Sequence, residues 1–324
     1  MPSAITAGIS GRPRAQKKPD MKKIICIGEC SLNIVLGSDG QPLGSLPGGR
    51  VLNAAAILAR NSYEVLMASE LSSDPVGDII AAFLQNSGVK LDSLDRFTEG
   101  RTPVNIFTCV PGTTVPTALT RYEDYPDECF DIIWPRIDEG DIVLFGGYYA
   151  IDARMRTRLL RFLNNAVERK AVLVYLPGFL PQQEPRITRV MPAILENLEM
   201  AHMVVARNND LKLIFGIDNT DTCYHDHIDF YCRSLVSVDA SCSRISYYTG
   251  KEMSSVEIPS ATSRTMMWNS GAVAGIVGMI AERGLTADSF DAPSQELREA
   301  ILGAAALSAN KTAAQFTQDW QMIK

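Results

Sequence analysis

The chain has 324 residues, 46% hydrophobic and 21% charged, with a formal net charge of -6. That length and apolar content suit one large globular α/β domain with a smaller appendage and do not suit a disordered chain. Dispersed basic residues under a negative net charge exclude a nucleic-acid backbone binder, whose affinity comes from clustered Lys and Arg, and no apolar run approaches the about 20 residues that cross a bilayer.

Residues 1–20 are rich in small, proline and basic residues (Arg12, Pro13, Arg14, Lys17, Lys18) and lack the apolar core of a signal peptide. They read as a flexible extension, or as a mis-assigned start, ahead of a domain spanning 21–324. Order begins at Lys23-Ile24-Ile25-Cys26-Ile27-Gly28, a short apolar run that suits a strand buried on both faces. Pro47-Gly48-Gly49 and an Ala-rich helix over 51–60 follow, which makes a βα unit. The alternation recurs: strand 64–69, helix 76–87 closed by Gly88, strand 141–145, helix 155–168, strand 171–176, helix 187–199, strand 202–206, helix 226–234 and strand 235–238. Such repetition predicts a three-layer α/β/α fold around a mostly parallel sheet. Between Thr102 and Tyr122 the residues turn β-branched and polar, with Pro111-Gly112 as the turn, so a small antiparallel flap is expected outside the main sheet. The Ala- and Gly-rich tail predicts two packed helices, 271–283 and 295–311.

Gly28-Glu29 at the first strand end, Asn33 shortly after, Gly48-Gly49 with Asn53 opening a helix, Asp74 with Gly77, and the flap near Thr102 together resemble the ribokinase-like, or PfkB-type, carbohydrate kinases. The order and spacing carry the resemblance, from about Lys22 to the C-terminal helices. It implies a ribokinase-like fold whose small β-lid comes from about 33–46 and 101–125. It also implies sugar-hydroxyl binding at Asn33, Gly48, Gly49 and Asn53. Gly permits close backbone approach, helix N-terminal amides present donors, and an Asn side chain offers both a donor and an acceptor. Read without the resemblance, Gly48-Gly49 is a helix-starting turn and Asn53 a capping or packing residue. Asn33 stands where the resemblance expects an aspartate, and keeps the shape without the charge.

The family's Gly-Ala-Gly-Asp signature, an anion hole followed by a catalytic base, aligns with Met267-Trp268-Asn269-Ser270 when Val273-Ala274-Gly275 sets the register. Met267 and Asn269 replace the glycines, and Ser270 is no anionic base near neutral pH. Ser270 reads instead as the N-cap of the helix after it. On the nucleotide side, Val238-Asp239-Ala240 and Ser243 stand where a Thr-Leu-Gly strand end and a further Gly are expected, and Leu176-Pro177-Gly178 stands for Asp-Pro-Asn. Arg207-Asn208-Asn209-Asp210 replaces an Asn-x-x-Glu element that organises magnesium and phosphates. Asp210 keeps a carboxylate that attracts a hydrated cation, while Arg207 places positive charge beside it.

Cys223, His225, Asp226, His227, Asp229 and Cys232 crowd together, but their spacing fits no common zinc finger, and no metal site is assigned. Trp268 either plugs the former phosphate hole or stacks on a sugar or partner. Tyr148-Tyr149, after Gly146-Gly147, are placed on the sugar side of the cleft. Seven cysteines (Cys26, Cys30, Cys109, Cys129, Cys223, Cys232, Cys242) without the spacing of a disulfide scaffold point to reduced thiols in the cytoplasm.

Two functions remain. One is a PfkB-type homologue that has lost phosphoryl transfer and binds a sugar-like polar ligand or a protein partner. The alternative is an active but divergent sugar or nucleoside kinase, for which ATP and Mg are the cofactors. The resemblance further implies a homodimer through the lid; neither nucleic acid nor membrane is expected as a partner.

Overall fold

The computed structural model describes residues 22–109, 116–125, 132–239, 241–258 and 267–321, the side chains of 116–119 and 313–321 excepted. The expected N-terminal extension, the Pro111-Gly112 turn, Cys129, Ala240 and Thr265-Met266 lie outside them.

The chain begins with β1 (Ile24–Ile27), β2 (Ser31–Leu36), β3 (Pro42–Gly48), α1 (Arg50–Arg60), β4 (Val65–Ser72), α2 (Pro75–Ser87) and β5 (Leu94–Phe97). β6 (Arg101–Cys109), β7 (Pro116–Asp124), β8 (Ile142–Gly146), α3 (Ala153–Glu168), β9 (Val172–Leu176), α4 (Ile187–Met200) and β10 (Met203–Arg207) follow. The rest is α5 (Asn208–Phe215), α6 (Thr220–Cys223), β11 (Leu235–Val238), β12 (Arg244–Thr249), β13 (Glu252–Glu257), α7 (Trp268–Arg283) and α8 (Gln295–Gln321).

Nine strands form the main sheet in the order β13-β12-β11-β10-β9-β8-β1-β4-β5. Every pairing from β11 to β5 is parallel, and only β12 and β13 run antiparallel. β1 shows why an unbroken apolar run was needed. Ile24 and Cys26 point into one core, with α1, α7 and α8, while Ile25 and Ile27 point into the other, with α3 and α4. Successive strand side chains alternate faces, so a strand covered on both sides favours apolar residues at every position. A second sheet, in the order β3-β2-β6-β7, stands apart from the first.

Local chemistry fixes the helix starts. Asp74 caps α2 by accepting from the Gly77 amide at 2.6 Å, Pro75 takes the position that needs no donor, and Gly88 closes the helix at φ 92°. The same carboxylate accepts from the Thr102 amide at 2.8 Å, so one side chain ties α2 to the start of β6.

Several spans differ from expectation, among them β5, for which no strand was expected. The helix expected over 226–234 is instead α6 and a π-turn at Tyr224–Ile228. Tyr224 is the reason: its buried hydroxyl donates within a cluster with Asp229 and the Arg233 carbonyl and accepts from the Gly250 amide, which pins the segment to the β12–β13 turn. α5 and the β12–β13 hairpin were not anticipated. α5 is short and polar, and β13 is an edge strand whose residues are nearly all exposed or half-buried, so neither carries a strong apolar period.

α7 and α8 pack through glycine. A side chain at Gly275 would collide with the Ala304 carbonyl, and one at Gly271 with the Thr312 side chain. Alanine in a helix ordinarily gains up to about 1 kcal/mol over glycine, but overpacking a close helix contact costs about 1–3 kcal/mol. Gly275→Ala is therefore expected to lower the urea midpoint, whereas Gly303→Ala, with open space at its α-carbon, raises or preserves it.

Candidate functional site

The strand order changes direction at β1: the chain continues to β4 and β5 on one side and to β8 and β9 on the other. In an open α/β sheet such a point leaves a crevice beyond the strand carboxyl ends, where ligands bind. Glu29 lies there, just past β1.

The second sheet presents a polar ladder beside it. Asn33 on β2 pairs with Asn105 on β6, and Asn105 with Arg121 on β7, so the three side chains share one face. Asn105 Nδ2 donates to Asn33 Oδ1 at 2.8 Å and to Ser31 Oγ at 3.0 Å, and Arg121 Nη1 donates to Asn105 Oδ1 at 3.0 Å. Arg121 lies 3.6 Å from Glu29 Oε2, which accepts from Gln183 Nε2 at 2.6 Å. A continuous chain of contacts thus joins the small sheet, the end of β1 and the loop after β9.

Gly48 and Gly49 are required at this junction. A side chain at 48 would collide with Asn33 and Ser31, and one at 49 with the Glu29 carbonyl; Gly49 also has φ +114°. Asn53 follows in the first turn of α1, its amide donating to the Gly49 carbonyl at 2.9 Å. Its side chain is only 6% exposed, and Oδ1 is buried with no donor. The structure thus brings together Asn33, Gly48, Gly49 and Asn53, with Asn33 Oδ1 engaged by Asn105.

Arg50, the first residue of α1, reaches across the crevice. Its Nη1 donates to Asp210 Oδ2 at 2.7 Å, while Arg207 Nη2 donates to Asp210 Oδ1 at 2.6 Å. Burial alone would raise the Asp210 carboxyl, but Arg50 and Arg207 outweigh it and hold the group well below the usual carboxylate range. The cation-attracting role expected of Asp210 is corrected accordingly: both oxygens accept from guanidinium groups, whose charge repels a metal ion. Arg50 Nη2 is buried without an acceptor and lies against Gly178, where any side chain would collide with it.

Val238 is buried in the core, and the turn after it closes on itself. Asn208 Nδ2 donates to Asp239 Oδ1 at 3.0 Å, Ser243 Oγ donates to Asp239 Oδ2 at 2.9 Å, and Ser241 donates to the same oxygen. Cys242 adopts φ +55° in this turn, a conformation that favours glycine.

At the entrance of α7, Met267 and Trp268 are buried in the core shared with α1 and α8; Trp268 is 1% exposed, and its Nε1 donates to Asn310 Oδ1 at 3.4 Å. A sealed indole does not stack on a ligand. Ser270 is also corrected: the N-cap is Met267, without a side-chain bond, and Ser270 is the third helical residue, fully buried. Burial of Met267 and Trp268 starts the helix three residues early, overriding the serine's capping preference. Asn269 Oδ1 is buried and receives no donor. Of the two tyrosines placed on the cleft, Tyr149 turns into the core and Tyr148 stays half-buried against Phe179.

Arg50, Asn105, Arg121, Gln183 and Glu70 were missed. Arg50 had a signal, a lone cation directly after Gly-Gly; Asn105 and Arg121 needed the strand register. Glu70, a carboxylate inside an apolar strand, is 2% exposed with neither oxygen partnered. Burial pushes it up to about 9, with Arg154 opposing and Asp152 and Asp95 reinforcing. Among the described residues no group of three or more His, Cys, Asp or Glu is arranged to hold a metal ion, and no helix is long and apolar enough to cross a membrane.

A family model described as pfkB family carbohydrate kinase matches residues 21–227. A ribokinase from Bacillus subtilis (strain 168) is 33% identical over 88 residues, covering 24% of this chain and 30% of that protein, so the match spans under a third of that relative's length. A fructokinase from Vibrio cholerae O395, solved with fructose, ADP and calcium, superposes with a TM-score of 0.74 at 15% identity over 91% of this chain and 92% of its own. An aminoimidazole riboside kinase from Salmonella enterica, solved with aminoimidazole riboside and an ATP analogue, gives 0.73 at 15% identity over 90% and 93%. At these identities the structural likeness establishes the fold.

Glu70 makes stability fall with pH. The folded state keeps its proton from about pH 4.5 to about 9 while the unfolded chain releases it, so stability declines by up to about 1.4 kcal/mol per pH unit across that window. Glu70→Gln is expected to melt higher than wild type at pH 8, with the gap closing at pH 5 in scanning calorimetry.

Proposed function

The chain belongs to the pfkB family of carbohydrate kinases, and from that premise we propose that it has lost phosphoryl transfer and retains a polar cleft for a sugar-like ligand. The observation that carries this reading is the entrance of α7, where Met267 and Trp268 fill the core and Ser270 is buried inside the helix. The resemblance puts a glycine-lined anion hole and a catalytic aspartate at these positions. Phosphoryl transfer depends on donors aimed at the transferring group and a base on the attacking hydroxyl, and a missing base alone costs about 10² to 10⁴ in rate.

The nucleotide side supports the same reading. Asp210 is spent on two arginines, Gly178 lies under Arg50, and the turn over 239–243 is closed by its own serines. These residues do not suit a nucleotide with its divalent cation, so neither ATP nor Mg is assigned. The second reading, an active divergent kinase using ATP and Mg, draws on the fold match to fructokinases solved with ADP or ATP.

In the favoured reading the sheet of β2, β3, β6 and β7 is a lid over the cleft. Its exposed Leu43 and Tyr122, 48% and 60% accessible, are offered as the contact for a second copy, and sedimentation is expected to show a dimer. A cytoplasmic setting accords with the free thiols of Cys26, Cys30, Cys109, Cys223, Cys232 and Cys242.

The test is incubation with MgATP and a panel of sugars and nucleosides, read as phosphorylated product by mass spectrometry. No product is expected from the wild type, nor from Ser270→Asp, because the new carboxylate would stand beside Trp268 without an anion hole. MgATP-dependent product from the wild type would replace this reading with the kinase alternative.

A further inference from the structure

The main sheet has an opening at the end opposite the crevice. Ala201-His202, which lead into β10, and Cys232-Arg233, which lead into β11, line one side of a cavity of about 640 Å³. The C-terminal halves of α3 and α4 and the end of the 3-10 turn Ala287–Phe290 line the other. These are the amino ends of the parallel strands. The five residues of β10, roughly 16 Å of strand, therefore separate the cavity from the cluster around Asp210.

The floor is apolar and fixed. Phe290 is buried, and its carbonyl accepts from Ser234 Oγ at 2.8 Å, which accepts in turn from the Tyr247 hydroxyl at 2.8 Å. The turn carrying Phe290 and Asp291 is thereby tied to β11 and β12. Leu160 and Met200 stay half-buried beside it, and Val167, on the rim, is 43% exposed. Tyr231 adds an aromatic wall, with the exposed Phe230 packed edge-on against it at 5.2 Å.

The charges at the mouth do not balance. Glu196 pairs with Arg156 at 2.7 Å, and Arg233 lies 3.9 Å from Asp229, so those groups are compensated. His202 adds no charge: its Nδ1 accepts from the Leu173 amide at 2.9 Å, which leaves the ring proton on Nε2, and burial lowers its pKa against the opposing pull of Asp291 and Asp288. Glu199 and Asp291 remain, both exposed on the rim and neither with an ion-pair partner among the described residues.

We propose that this cavity is a second ligand site, remote from the cleft and independent of what the cleft binds, and that it takes an organic cation with an apolar body, an ammonium or guanidinium compound. Its size falls among small-molecule sites, which run from about 300 to 1,000 Å³. A neutral apolar ligand would leave two carboxylates without a counter-charge while excluding water from them, and an anion would meet them directly. A cation pairs with Glu199 and Asp291 while its hydrocarbon part covers Leu160 and Met200, and an aromatic ring such as that of Tyr231 attracts positive charge over its face.

The experiment is calorimetric titration of the full chain with phenethylamine and agmatine as cations, 2-phenylethanol as the neutral probe and phenylacetate as the anion. The wild type is expected to bind at least one cation more tightly than either of the other probes. Glu199→Gln and Asp291→Asn should each weaken that cation about two- to fivefold, the worth of a partly exposed ion pair, with an unchanged melting temperature in its absence. Val167→Trp, which fills the mouth from an exposed position, should abolish binding, and Glu257→Gln, an exposed carboxylate on β13, should leave it unchanged. Equal weakening by Glu257→Gln would show general attraction to an acidic surface and overturn the site. Unchanged affinity in both Glu199→Gln and Asp291→Asn would overturn it as well. Binding of 2-phenylethanol or phenylacetate as tight as that of the cations would overturn the ligand class, and binding of neither cation by the wild type would overturn the proposal outright.

Discussion

Where the small sheet, the loop after β1 and the first turn of α1 converge, there is no room for a side chain. Gly48 lies against Asn33 and Ser31, and Gly49 against the Glu29 carbonyl at a φ of +114°. The direction in which α1 leaves the junction follows from that contact, and with it the positions of Arg50 and Asn53. The polar ladder from Asn33 through Asn105 and Arg121 to Glu29 depends on it as well, because β3 approaches β2 this closely only when residue 48 has no β-carbon.

The second organising element is electrostatic. Asp210 is buried, and an unpaired carboxylate at that depth would be costly; two guanidinium groups from residues 50 and 207 make it tolerable. The pairing links α1, β10 and α5 across 160 positions of sequence. Both arginines, which elsewhere would suit phosphate recognition, are turned inward on a protein carboxylate. Glu70 is solved differently: with no partner, it is held neutral by burial.

Much of the fold was legible because its signals are local. The apolar runs of β1, β8 and β9 and the amphipathic period of α3 and α4 stand within a residue or three of where the periodicity puts them. α5, β13 and the π-turn at Tyr224 were not, since their stability comes from a buried carboxylate, an edge pairing and one tyrosine hydroxyl rather than from an apolar repeat. The site divides the same way. Gly48, Gly49 and Asn53 lie within six consecutive residues and are readable. Asn105 and Arg121 face Asn33 only through strand register, and Arg50 meets Asp210 only through the fold. Ser270 was misplaced because a capping preference worth about 1 kcal/mol yields to the burial of Met267 and Trp268.

Arg50 and Gly178 have a consequence for descent. The guanidinium occupies the space any side chain at 178 would need. A sequence carrying Arg50 in this pose is confined to glycine there, and one with a larger residue at 178 has no place for it. A side chain gained at 178 meets the guanidinium and the Asp210 carboxylate, whereas loss of Arg50 with Gly178 kept meets no clash. The order of change is thereby constrained: glycine has to stand at 178 before an arginine at 50 takes this pose, and no side chain fits at 178 while Arg50 and Asp210 hold theirs.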